Sequence, residues 1–164
     1  DIVWAVNPAR DNAEDLVHRM RKFANDILSA GDTELHFHSI DTDKTRKLTP
    51  DFKRHVYLIF KECINNAAKH SQCKSVTVEI NMNRGQMLLK ITDDGKGFDM
   101  SNSNDGNGLK SMRTRAGLLG GTLRFHSEPG KGTSMELEVP FRHRVAPESE
   151  IGTARKIFRA ARWS

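Results

Sequence analysis

Four short blocks carry residue types that could do chemistry. Asp93-Asp94-Gly95-Lys96-Gly97 follows an alternating apolar run, so an acid closes a strand and two glycines follow at D-x-G-x-G spacing. A carboxylate there can accept a hydrogen bond from a ligand, and the same pattern also reads as a tight turn. Gly106-Asn107-Gly108-Leu109 stands immediately before a helical pattern, where free backbone amides and the positive end of the helix dipole can receive phosphate. Gly130-Lys131-Gly132-Thr133 leads into a last strand. Glu62 and Asn66 lie four residues apart on a helix, with Lys69 and His70 on the following turn. Polar residues on a helix are usually its solvated face, so this last block carries chemistry only in company with the other three.

The elements that must position these blocks follow from periodicity. Asn7-Pro8 is a break, and Asp11 or Asn12 can cap a helix through Leu16, Met20, Phe23 and Ile27 that stops at Gly31. Glu34 to Ser39 alternates as a strand, and Asp41 to Lys47 reads as a polar loop. Thr49-Pro50 supplies an N-cap with proline at the first helical position, ahead of Val56, Leu58, Ile59, Cys63, Ile64, Ala67 and Ala68 at helical spacing. Ser75 to Asn81 and Gln86 to Thr92 form a hairpin around Asn83-Arg84-Gly85. Asp93 to Gly108 is poor in hydrophobes and reads as a mobile loop, and within it Met100 to Asn107 as a lid that orders around phosphate. A short helix, Leu109 to Leu119, ends at Gly120-Gly121. A second hairpin joins Thr122 to Ser127 with Ser134 to Val139, and Pro140 closes the sheet. The expected fold class is α/β (α+β): a two-layer sandwich whose mixed, mainly antiparallel sheet carries its helices on one face.

Composition bounds the rest. The 164 residues fit one domain with an appended tail, divided at residues 1–141 and 142–164. With 37% hydrophobic and 29% charged residues, no apolar run approaches the roughly eighteen residues of a membrane span. The chain opens at Asp1 in what looks like the middle of an element, as an excised fragment would. Cys63 and Cys73 lack metal-type spacing and read as reduced thiols. The net charge of +5 could suggest nucleic acid, but the tail after Phe141 holds six basic residues against Glu148 and Glu150, so most of the surplus lies outside the four blocks. No nucleic acid partner is expected.

Taken in order from Thr49 to Phe141, the blocks resemble the GHKL ATPase superfamily of histidine kinases, type II topoisomerase ATPase domains, heat-shock chaperones and mismatch-repair proteins. FKECINNAAKHS is similar to its asparagine box, ITDDGKGF to its first glycine box, GNGLKSMRTRA to its second, and GGTLRFHSEPGKGTSMELEVP to its closing hairpin. E-x-x-x-N-x-x-K-H-S and G-L-x-x-M-x-x-R resemble kinases related to the nitrate and lipid-fluidity sensors. The resemblance implies a Bergerat-type fold, ATP and Mg²⁺ as ligands, and a set of roles. Asn66 would coordinate Mg²⁺. Asp93 would accept from the adenine amino group, Gly95 and Gly97 would let the backbone approach the ring, and Thr133 would help fix it. Gly106, Gly108 and Leu109 would belong to the lid and its helix, Lys69 and His70 would neutralise phosphate, and Glu62 would stand where hydrolysing members keep a base.

A kinase of this kind implies a phosphoacceptor histidine on a dimerisation domain, a homodimeric longer protein, a response regulator downstream, and a cytoplasmic catalytic part whose parent is anchored in the inner membrane. The acceptor is absent from the pattern: His18 is followed by Arg19, not an acid, so the acceptor hairpin is expected outside this chain. His36, His38 and His126 read as structural, Asp94 as a solvated neighbour, Arg113 and Arg115 as helix-surface cations, and Cys63 as core. Two other functions share some of these features. One is a serine kinase of the kind that binds a sigma factor, against which the M-x-x-R pattern after Leu109 argues. The other is an ATP-independent interaction module, with the basic tail against nucleic acid or a membrane surface.

Overall fold

The computed structural model describes residues 12–41, 47–83, 85–100 and 107–140. The first helix, α1 (Ala13–Leu28), starts where the Asn12 side chain accepts the Asp15 amide at 2.8 Å, and Glu14 and Asp15 add negative charge at the positive end of the dipole. Leu16, Met20, Ala24 and Leu28 form its buried stripe, while Phe23 and Ile27 pack at its margin. A 3₁₀ turn, Ser29–Gly31, carries the chain from the end of α1 to the expected stop at Gly31. The left-handed position falls on Asp32 (φ 54°) and not on Gly31.

Strand β1 (Glu34–Asp41) runs two residues beyond the alternation visible in the sequence, which takes Asp41 out of the expected loop. Helix α2 (Pro50–Asn66) begins with the Thr49 hydroxyl accepting the Phe52 amide at 3.2 Å, and buries Val56, Ile59, Phe60, Cys63 and Ile64. Lys53 is fully covered on the same helix, at a place where periodicity alone would put a hydrophobe. A π-turn, Ala67–Ser71, follows and ends on Gln72 at φ 55°. Its wider hydrogen-bonded ring rotates later residues out of the stripe, so Ala68 is exposed where 3.6-residue spacing would bury it.

The remaining elements are β2 (Ser75–Asn83), β3 (Gln86–Asp93), α3 (Asn107–Leu118), β4 (Thr122–Ser127) and β5 (Thr133–Pro140). Asn83 pairs with Gln86, so the first hairpin turns on two residues and Asn83 belongs to the strand. The five strands lie in the order β1-β2-β3-β5-β4. Only β1 and β2 are parallel, as α2 crosses over between them, and every other pair is antiparallel. Alternation gives the sheet two unlike faces. Val76, Val78, Ile80, Met82, Met87, Leu89, Met135, Leu137 and Val139 are buried under the helices. The other face aligns His38, Glu79, Lys90, Glu136 and Arg124 across the strands, with Arg124 3.1 Å from Glu136. Among the described residues no helix is long and apolar enough to cross a membrane.

Asp94 has a structural task that the sequence did not reveal. Its Oδ1 accepts the amides of Lys74 and Ser75 at 2.8 and 2.9 Å, and its Oδ2 accepts the Ser75 hydroxyl at 3.0 Å, pinning the start of β2 to the end of β3. The Ser75 amide above all, with the Ser75 hydroxyl and the Lys74 amide, holds this carboxyl below the usual aspartate range against the opposing effect of burial. A depressed folded pKa means a contribution that is complete above the unfolded value of about 3.9 and lost as pH falls through the folded value. Asp94→Ala should therefore lower stability by about 1 kcal/mol at neutral pH. The gap from the parent chain should close in acid, as read from urea midpoints across pH.

Candidate functional site

On β3 the inward positions Met87, Leu89, Ile91 and Asp93 form one buried row, and the last member is a carboxyl. Asp93 is only 9% exposed, and it lies opposite Thr133 in the β3–β5 register. Burial pushes its carboxyl above the usual range, while the backbone amides of Gly95 and Thr133 pull it back. The Gly95 amide donates to Asp93 Oδ1 at 2.9 Å. An acid is thus kept under cover with partners for its charge.

The two glycines after Asp93 are there because backbone passes where side chains would stand. A Cβ on Gly95 would run into the Ser71 carbonyl oxygen and come 2.8 Å from Asp93 Oδ1. Gly97 has φ +56°, and a Cβ there would strike the carbonyl oxygens of Glu128 and Gly132. A Cβ on Gly132 (φ +74°) would in turn strike the Asp93 carbonyl oxygen. Hydrogen bonds fasten the same crossing: the Lys96 amide donates to Ser71 at 2.8 Å, and the Gly130 amide donates to the Lys96 carbonyl at 2.6 Å.

Above Asp93 lies a cavity of about 260 Å³. Cys63, Asn66, Ala67, His70 and Ser71 wall it from the end of α2 and the π-turn, and Leu109 from α3. Ile91 and Asp93 of β3, Phe125 of β4, and Thr133 and Met135 of β5 form its floor, while Lys96, Gly97 and Phe98 stand at the loop side. The walls are largely apolar, with few polar groups, the chemistry that holds a flat ring and reads its edge. Burial pushes the Cys63 thiol well up, and its Sγ lies 3.5 Å from Met112 Sδ, so it is an inert part of the wall.

Six residues singled out from the sequence thus meet around one space: Asn66, His70, Asp93, Gly97, Leu109 and Thr133. Gly95 lies behind Asp93. Lys69 is exposed on the π-turn and does not line the cavity. Glu62 stands one turn before Asn66 with its carboxylate against Gly108 at the start of α3, where a Cβ would collide with Oε1. Gly106 and most of the expected lid, residues 101–106, lie outside the described residues, as does the tail after Pro140. Sequence reasoning missed Lys96, Phe98, Ile91, Phe125 and Met135. Strand alternation carried a signal for Ile91 and Met135, each two residues from a site residue on the same face. His36 and His126 are strand residues beside Glu34 and Glu128, at 3.6 and 3.3 Å.

Residues 52–143 match the family described as Histidine kinase-, DNA gyrase B-, and HSP90-like ATPase. The signal transduction histidine-protein kinase/phosphatase DegS of Bacillus subtilis (strain 168) is 33% identical over 114 residues, covering 67% of this chain and 30% of that protein. The sensor histidine kinase LiaS of the same organism is 39% identical over 87 residues, covering 52% of this chain and 24% of that protein. The chain therefore spans less than a third of the length of these relatives. Among solved structures, the histidine kinase domain of the Erythrobacter litoralis EL346 blue-light activated histidine kinase superposes with a TM-score of 0.63 at 22% identity, over 77% of this chain and 65% of that one. Full-length ShkA in complex with AMPPNP gives 0.65 at 18% identity, over 82% of this chain and 31% of that one. These two likenesses concern the fold.

The crossing of backbones under Asp93 can be tested by adding one methyl group. Gly97 and Gly130 both have positive φ, but nothing lies within 4 Å of a Cβ on Gly130. Gly130→Ala should lose only the left-handed backbone preference, about 1 kcal/mol. Gly97→Ala should lose roughly 1–3 kcal/mol more, from forced displacement of the neighbouring carbonyls. Equal urea midpoints for the two variants would contradict the close approach.

Proposed function

Because this chain belongs to the histidine kinase-, DNA gyrase B- and HSP90-like ATPase family, we propose that it is the ATP-binding catalytic part of a sensor histidine kinase, with adenine held in the cavity above Asp93. The observation that carries this reading is a covered carboxylate in an apolar slot. A ring edge that donates N–H answers that carboxylate, as the adenine amino group does, whereas guanine presents a carbonyl at the same place. Ile91, Phe98, Leu109, Phe125 and Met135 supply apolar surface for the ring faces.

From that pocket the phosphates would extend toward the end of α2. Asn66 lines the cavity there, and its amide oxygen is a hard donor that suits Mg²⁺ shared with phosphate oxygens and water. When bound, the cation offsets phosphate charge. Lys69 and His70 on the adjoining turn add positive and hydrogen-bonding groups, and the amides of Gly108 and Leu109, in the first turn of α3, offer N–H groups at the positive end of its dipole. Glu62, on the turn before Asn66 and against Gly108, would take the place of the base that hydrolysing members use to activate water. Positioning and electrostatics carry phosphoryl transfer, so these groups have little covalent work to do.

The acceptor in this reading is a histidine on a separate dimerisation domain of a longer, homodimeric protein, which hands the phosphoryl group to a response regulator. Residues 1–141 are the catalytic domain and 142–164 a basic tail. The domain works in the cytoplasm, and the longer protein is anchored in the inner membrane.

Calorimetry with Mg·ATP should show Asp93→Asn binding ten- to a hundredfold more weakly than the parent chain, the loss of a charge-assisted hydrogen bond worth about 1.5–3 kcal/mol. Unchanged affinity would remove Asp93 from the adenine site. Incubated alone with γ-labelled ATP, the chain should stay unlabelled. Adding a dimerisation domain with its acceptor histidine should yield a label that survives alkali but not acid, and an acid-stable label would point to serine or threonine instead.

A further inference from the structure

Ser127 ends β4 nine-tenths covered and does not line the cavity, yet its hydroxyl controls a group that does. It meets the Phe98 amide nitrogen at 2.9 Å, the Gly132 carbonyl oxygen at 3.0 Å and the Thr133 hydroxyl at 3.0 Å. A serine hydroxyl has one proton and two lone pairs. The Phe98 N–H can only donate, so it occupies one lone pair. The Gly132 carbonyl can only accept, so it takes the proton. One lone pair remains on Ser127, and the Thr133 hydroxyl must turn its own proton toward it.

Any other arrangement brings two lone pairs together at 3.0 Å in a covered place. Were Thr133 to donate elsewhere, its oxygen would face the oxygen of Ser127 with no proton between them. Were Ser127 to donate to Thr133, the Gly132 carbonyl would face a lone pair. Unpaired polar groups under cover are costly, so the three contacts together fix one direction of donation.

The consequence lies on the cavity side. Thr133 faces the space with lone pairs only, and its cross-strand neighbour Asp93 is a carboxylate, also an acceptor. We infer that Ser127 is a positioning residue which locks the Thr133 proton away from the cavity, leaving the polar corner acceptor-only and selecting 6-aminopurine over 6-oxopurine nucleotides. The selectivity half rests on the cavity being a purine nucleotide site, and the proton direction does not. A 6-amino edge brings hydrogens to such a corner, whereas a 6-carbonyl brings another lone pair.

The experiment has two arms, both on the whole chain. In the first, NMR of the nucleotide-free protein should show a slowly exchanging hydroxyl proton on Thr133 with a nuclear Overhauser contact to the Ser127 β-protons. Ser127→Ala should lose that signal while its amide spectrum stays folded. A shielded proton on Ser127 directed at Thr133 would overturn the inference. In the second arm, calorimetry compares ATP with ITP. Ser127→Ala frees Thr133 to donate toward a carbonyl at C6, so the ratio of the two affinities should narrow about five- to tenfold. The double variant Ser127→Ala/Thr133→Val should give the same ratio as Thr133→Val alone. Equal weakening of both nucleotides by Ser127→Ala, or a change of ratio that persists with Thr133→Val, would assign Ser127 a merely structural role. A parent chain that binds neither nucleotide would overturn the selectivity half together with the purine reading, and the first arm would still decide the proton direction.

Discussion

Asp93 can remain charged under cover because two backbone amides, those of Gly95 and Thr133, are aimed at its carboxylate. One amide comes from the turn that the residue itself starts, and the other from the neighbouring strand, so the site exists only when β3 and β5 pair in register. A one-residue slip would turn Asp93 to the other face of the sheet and put Thr92 in its place. Register, in turn, is held by the apolar row that Asp93 terminates. The core that stabilises the sheet is thus the same feature that aims the carboxyl.

The close crossing of three backbone segments follows from this placement. Gly95, Gly97 and Gly132 each stand where a side chain would meet a main-chain oxygen, and the amides of Lys96 and Gly130 tie the crossing together. Ser127 sits in the same crossing and joins Phe98 to the hairpin. Rigid elements therefore carry the polar corner, while α2 and its π-turn supply the opposite wall. That turn is where the regular helix gives way, and Asn66 just before it and His70 within it both reach the cavity while Lys69 does not.

Much of this was legible in the sequence for identifiable reasons. Asn12 and Thr49 cap their helices through local chemistry that needs no tertiary context. Alternation marked all five strands to within two residues of their ends and erred mainly where a polar residue, such as Asp41 or Asn83, extended a strand. The aligned polar blocks brought Asn66, Asp93 and Thr133 to one cavity. What stayed hidden depends on geometry between distant residues. Nothing in the spelling of AAKHS announces an i→i+5 turn, Asp94 looked like a spare acid until its bonds to Lys74 and Ser75 were seen, and Ser127 is one serine among several until it is placed beside Phe98 and Gly132. Lys53 breaks the apolar stripe of α2 and is nevertheless fully covered.

In the proposed site the ionised carboxylate of Asp93 is the group that receives the ligand. Linkage makes this measurable without altering any residue, since a ligand that binds the ionised form better must lower the pKa of that carboxyl when it binds. The direct observation is the side-chain carboxyl ¹³C shift of Asp93, followed through an acid titration with and without saturating Mg·ATP. If Asp93 receives the nucleotide, its carboxyl should titrate above the ordinary aspartate range in the free chain and move to lower pH when the nucleotide is bound. A midpoint that stays in place, or that rises, would contradict it.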